Sequence, residues 1–247
     1  MMKYCEQRIP DGDPQKWTMG QLEDFGRIRL SSHFFMRDML YSEVASVHGI
    51  RNVPDKPRLA VEVGHSLCES LLEPLLATFG HVAIRSAYRS GALHERGSKY
   101  RNMASIEKNR ARHIGDLLDK NDKMGATACV VIPWFVEYLE ARADMSWKAM
   151  AWWIHDHLPY SEVMFFHNQE FKYGAFNIRW HETDVRRSIQ STVHRSLTKQ
   201  SKPDYEPGAH ASEYPGFPTL KPWNSHYPDR PTSLDTSHCA IDSGSTD

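Results

Sequence analysis

The stretch LLEPLLATFGHVAIRSAYRS (Leu71–Ser90) contains two different periodicities separated by one glycine. Leu59, Val63, Leu67, Leu71, Leu75 and Phe79 recur at four-residue steps, which predicts a long half-buried helix over Arg58–Phe79. Gly80 supplies the stop, since glycine takes up the left-handed backbone that ends helices at little cost. His81–Ser90 (HVAIRSAYRS) then alternates apolar and polar residues as a half-buried strand does, and runs into a polar loop. A helix feeding a strand across one glycine sets the scale of the fold.

The elements on either side extend it. His33–His48 is expected to be helical, with Phe35, Met39, Leu40, Val44 and Val47 near one face and Gly49 as terminator. Ala128–Pro133 (ACVVIP) reads as a short strand buried on both faces, and Trp147–Leu158 as a helix. Tyr160–Phe166 and Ala175–His181 read as strands joined by a polar connection suited to a hairpin. Helices first and strands later predict an α+β domain with a small, mostly antiparallel sheet and helices packed on it.

The bulk of the chain narrows the function classes. In 247 residues, 30 Lys and Arg stand against 31 Asp and Glu, a formal net charge of -1. No field of one sign points to nucleic acid or to an acidic membrane surface. No apolar run approaches the roughly 20 residues that span a bilayer, and MMKYCEQRIPDGDPQKW lacks the apolar centre of a secretory signal, so a cytoplasmic location is expected, with release on lysis as one route to a cell wall. Cys5, Cys68, Cys129 and Cys239 are scattered with no C-x-x-C pair, which predicts reduced thiols. Seven of the 14 prolines fall in the last fifty residues among Ser, Thr, His and Asp. The expected organisation is an irregular segment 1–24, one domain over 25–197, and a disordered or loosely docked tail over 198–247.

Two stretches then resemble a known family. IRLSSHFFMRDMLYSEVASVHGIRNVPD (Ile28–Asp55) and LLEPLLATFGHVAIRSAYRS are similar to the zinc D-Ala-D-Ala carboxypeptidases and phage peptidoglycan endopeptidases, which share the hedgehog-type α+β fold. The resemblance implies that His113 and His181 are zinc ligands. Arg89 would grip a substrate carboxylate, with Tyr88 and Ser86 beside it. The family's aspartate ligand, seven residues after the first histidine, corresponds to Lys120; aligning Gly125–Ala128 with the approach to that aspartate instead places it at Cys129. The family's base, a glutamate, corresponds to Ile178 or to about Phe166.

The residues themselves leave the chemistry open. Zinc takes imidazole nitrogen, carboxylate oxygen or thiolate sulfur, and a catalytic site uses three such ligands and leaves a fourth place for water. His113, Cys129 and His181 meet that rule, and Asp116, Asp119 or Asp122 could replace Cys129. Cys129 can equally be a small apolar core residue. Glu162 is the candidate base on the strand expected to pair with Ala175–His181. His155 and His157, flanking Asp156, form a second titratable cluster that could act without metal or simply complement a helix C-terminus. Two functions follow as expectations: a zinc peptidase hydrolysing peptidoglycan peptides by metal-activated water, or a non-catalytic descendant of the fold that binds or builds, as in a phage or prophage.

Overall fold

In a computed structural model of the chain, the described residues are 9–99, 105–166, 174–193, 196–199 and 208–223. The chain starts with α1 (Met19–Gly26), whose Thr18 and Gln21 cap each other reciprocally across the first turn. The helix expected over His33–His48 is two short ones, α2 (Met36–Leu40) and α3 (Glu43–His48), broken at the extended Tyr41. Val47 is 80% exposed, so the apolar face expected from Phe35 to Val47 does not run through both.

The four-residue ladder is borne out by α4 (Pro57–Leu67), a wide turn at Cys68–Leu72 and α5 (Glu73–Phe79). Val63, Leu67, Leu71, Leu75 and Phe79 are all buried on it. The wide turn has a local cause. Pro74 has no N–H and its ring crowds the carbonyl four residues back, so the helix loosens to an i to i+5 bond, with Glu73 N–H donating to the Cys68 carbonyl.

Then follow β1 (Ala83–Ser86), α6 (Gly91–Ser98), α7 (Ile106–Asn109), β2 (Gly125–Val131), α8 (Pro133–Ala141) and α9 (Trp147–His157). The chain closes on β3 (Glu162–Phe165), β4 (Phe176–His181), β5 (Ser188–Ser191) and β6 (Thr198–Lys199). The sheet has six strands in the order β1-β2-β4-β3-β5-β6, antiparallel throughout except for the β3–β5 pair. The architecture is α+β with a mixed sheet. Its two faces differ sharply in composition. Ala128, Val130, Phe176, Ile178, Val163 and Phe165 alternate into the core, while their neighbours Thr127, Cys129, Asn177, Arg179, His181 and Glu162 form a polar face.

Two boundaries differ from expectation. Trp17 and Phe25 are buried and their rings lie 5.1 Å apart, so the N-terminal segment belongs to the same core. Of the expected tail, Gly208–Trp223 is docked, and β6 completes the sheet. Phe217 packs edge-on against Phe79, Trp134 and Tyr138, Tyr138 donates to the Pro215 carbonyl at 2.9 Å, and Trp223 donates to Glu69 at 2.8 Å. Proline is no obstacle to this docking, because the strap is held by side chains and carbonyls rather than by a ladder of backbone N–H groups. The segments 1–8, 200–207 and 224–247 lie outside the described residues. No helix among the described residues is long and apolar enough to cross a membrane.

Candidate functional site

The loop Arg110–Asp119 runs across the polar face of the sheet, directly over β4. Three contacts register it there. Arg179 donates through Nε to the Ala111 carbonyl at 3.1 Å, His113 meets Asn177 at 3.3 Å, and His181 Nε2 meets Asp119 at 3.2 Å. Gly125 makes the close approach possible: a Cβ there would sit 2.4 Å from the Ala111 carbonyl oxygen and 3.1 Å from the His181 ring. The two candidate histidine ligands therefore sit at opposite ends of β4.

His113 lies at the inner end. Its Nδ1 is 2.7 Å from the Ala87 carbonyl, and that carbonyl can only accept, so Nδ1 carries the proton and donates. Nε2 then offers a lone pair, and the Asn177 amide nitrogen donates to it. Burial, helped by the neighbouring Arg89 guanidinium, pushes the imidazole pKa down to about 3, so this ring is neutral. Cys129 stands opposite Asn177 in the β2–β4 register and opposite Ser86 in the β1–β2 register, on the same polar face. It is therefore not a core residue of the apolar face. Burial raises its thiol pKa, with Arg85 and Arg89 pulling the other way, so the thiol stays protonated.

Cys129 and Asn177, but not His113, border a cleft of about 210 Å³ whose lining also includes Arg85, Ser86, Arg89 and Glu43. Arg89 donates to Ser86 at 3.3 Å, and its backbone N–H donates to the His113 carbonyl at 2.8 Å. Arg85 went unanticipated for a local reason: the register of β1 shifts between Ile84 and Ser86, and this irregularity lets two consecutive residues line one cleft. Asn177 shares one face of β4 with Arg179 and His181, and it is Asn177 that reaches the cleft.

His181 lies four residues along β4 from Asn177, and so about 13 Å away at the usual strand rise of about 3.3 Å per residue. Both ring nitrogens are engaged, Nε2 with Asp119 and Nδ1 with the backbone N–H groups of Thr183 and Asp184. Asp119 and the Asp184 carboxylate, 3.9 Å from Nδ1, flank opposite sides of the ring and cannot share one ion with it. Burial lowers the His181 pKa, with Arg179 adding to it and Asp119 opposing.

The remaining candidates disperse. Asp116 accepts from the N–H groups of Asp55 at 2.8 Å and Lys56 at 3.4 Å, just before the start of α4, and burial raises its pKa. Asp119 also accepts from the N–H groups of Asn121 and Lys123; burial works against its charge, but these bonds hold its pKa low. Asp122 is an exposed turn residue at φ 58°. Tyr88 is buried away from Arg89 beside Asp116, and burial together with that carboxylate raises its pKa, so it is a core residue rather than a substrate contact. Glu162 is not a poised base: Arg112 grips it with both guanidinium nitrogens, and Arg179 and Arg187 each lie 3.5 Å from the same oxygen. His155 contacts the Tyr160 hydroxyl at 2.8 Å, while His157 packs edge-on against Trp153 and Tyr214. Both belong to the clasp that holds the strap. Asp156, also in that clasp, accepts from His210 N–H, His210 Nδ1 and the Tyr214 hydroxyl.

Comparison with family models, with curated proteins and with solved structures gives no match. Zinc, which the sequence resemblance implies, does not fit the arrangement of the described residues. Among the described residues no three His, Cys, Asp or Glu side chains converge to hold a metal ion. The arrangement offers instead a neutral imidazole capped by an amide, a protonated thiol, and two arginines at the mouth of a small cleft.

Proposed function

We propose that this chain is a divergent, non-hydrolytic member of the hedgehog/DD-peptidase-like fold, in which the cleft binds an anionic ligand instead of cleaving it. The ligand class the cleft suits is a peptide with a free C-terminal carboxylate, of the kind that cell-wall peptides present. The observation that carries this reading is the Asn177 amide donating to His113 Nε2, which occupies the lone pair a metal would need. Arg89 and Arg85 then supply what is left: guanidinium forks that match a carboxylate in shape and charge. The hydrolytic reading, cleavage of peptidoglycan peptides by metal-activated water, requires a third donor and a base beside His113. His181 and Glu162 are engaged elsewhere.

Calorimetry with a short peptide ending in D-Ala-D-Ala, compared with the same peptide as its C-terminal amide, tests the proposal on protein purified without an affinity tag. The acid is expected to bind at least tenfold more tightly than the amide, to lose that advantage in Arg89→Ala, and to remain intact with or without added zinc. Zinc-dependent cleavage that disappears in His113→Ala would contradict it.

A further inference from the structure

A second groove, separate from the cleft, lies along the outer side of the Arg110–Asp119 loop. It has a volume of about 560 Å³, and its lining includes Lys108, Arg110, Arg112, Lys120, Arg179 and Arg187. Among the described residues, the carboxylates on or against it are Glu107, Asp119, Glu162 and Asp184. Six cations against four carboxylates leave an excess of two positive charges on this groove. The excess has a structural origin, because Arg112, Arg179 and Arg187 all converge on the single carboxylate of Glu162. Such crowding is costly without a further anion: burial and then the Arg112 charge lower the Arg179 pKa to about 10.

We propose that this groove is a binding site for a phosphate group, either free phosphate or a phosphate monoester. The arginines are held in place before any ligand arrives. Arg112 is fixed by both Glu162 oxygens, Arg187 by Glu162 and by Asp184 at 3.1 Å, and Arg110 through its Nε to the Leu118 carbonyl at 2.8 Å. Guanidinium groups fixed in this way lose little entropy on gripping a tetrahedral oxyanion, and each keeps N–H groups for it. Lys108 and Lys120 add mobile charge from exposed positions on the lining. Phosphate suits the site better than a carboxylate, because a dianion matches the excess of two charges whereas a monoanion leaves half of it uncompensated. The site is independent of the carboxylate-binding reading of the cleft, which uses Arg85 and Arg89.

Calorimetry at fixed ionic strength tests this with three probes: inorganic phosphate, phenyl phosphate and acetate. Saturable binding of phosphate or phenyl phosphate is expected, at least tenfold tighter than acetate. The tighter of the two phosphates identifies the source, since a monoester site gains from the ring and a free-phosphate site does not. The triple variant Lys108→Gln, Lys120→Gln, Arg187→Gln, checked for native circular dichroism, is expected to weaken binding at least tenfold. Arg85→Gln with Arg89→Gln is expected to leave it within twofold. No saturable binding, equal affinity for acetate, an unaffected triple variant, or loss of binding in the Arg85/Arg89 variant would each overturn the proposal.

Discussion

The two ends of β4 hold histidines in opposite ways. At the inner end, His113 is buried and neutral, bound by one carbonyl and one amide, with no carboxylate partner on either nitrogen among the described residues. At the outer end, His181 is held among Asp119, Asp184 and backbone N–H groups, next to a dense array of arginines. The inner end is a neutral socket beside the cleft that Asn177 and Cys129 line, and the outer end is a charged clamp that pins a loop. A catalytic zinc site would need an open lone pair on each of its imidazoles and a third donor in the same place. This sheet spreads them along a whole strand.

The largest effect comes from removing what lets the loop lie on the strand at all. Gly125→Ala places a methyl within van der Waals overlap of the Ala111 carbonyl, so it is expected to cost roughly 3 kcal/mol or more, a overpacking penalty at the top of the usual range. Thermal denaturation followed by circular dichroism reads it. A shift in melting temperature indistinguishable from zero would mean the loop does not lie where the contacts place it.

Next is the inner end alone. Asn177→Leu removes the side-chain amide that donates to His113 Nε2 and leaves the imidazole lone pair unsatisfied. It is expected to destabilise by about 1–3 kcal/mol, the cost of an unmet buried polar group. The same socket sets a pH dependence. His113 has a folded pKa of about 3, below its ordinary value near 6.5. Its contribution is therefore complete above about pH 6.5 and is lost as the pH falls toward 3, because the unfolded chain takes up the proton first. By pH 5 that loss amounts to roughly 2 kcal/mol. Urea melts at pH 7 and pH 5 should show it in the wild type, and His113→Gln should flatten the difference; an equal slope in both would remove His113 as its source.

The outer end should respond least. Asp119→Asn takes away a carboxylate that supports the protonated form of His181. The pair is largely shielded, with His181 2% and Asp119 19% exposed. Asn keeps the shape of Asp119 and its bonds to the Asn121 and Lys123 N–H groups, so the loss is that of one hydrogen bond, on the order of 1 kcal/mol. The His181 pKa is expected to fall further below its ordinary value, while His113 does not move. Proton NMR titration of the two ring signals separates them, and a shift of both together would mean the two ends are coupled.

Much of this frame was legible in the residues. The four-residue ladder from Val63 to Phe79, the Gly80 stop and the alternation of AFNIRWH each correspond to an observed element, because local periodicity and burial agree there. What was not legible follows from the same periodicity. Asn177 and His181 are four residues apart on a strand of period two, so they share a face, and alternation cannot say which of them meets Cys129. Only the β2–β4 register decides, and it decides for Asn177. For the strap, composition left disorder and loose docking both open: Tyr214 and Phe217 find an aromatic surface already built by α5, α8 and α9, and Trp223 docks on Glu69 of the wide turn. The basic groove was hidden by a balanced net charge, since six cations from four separate segments meet only in three dimensions.

The central claim, that the Asn177 amide and not a metal occupies His113 Nε2, is tested most directly by nitrogen NMR of the histidine rings during zinc titration. The account predicts that His113 keeps a protonated Nδ1 and an unprotonated Nε2 from pH 8 to pH 5, and that neither signal moves on addition of one equivalent of zinc. A stoichiometric zinc-induced shift of His113 Nε2, with a matching change at Cys129, would contradict it.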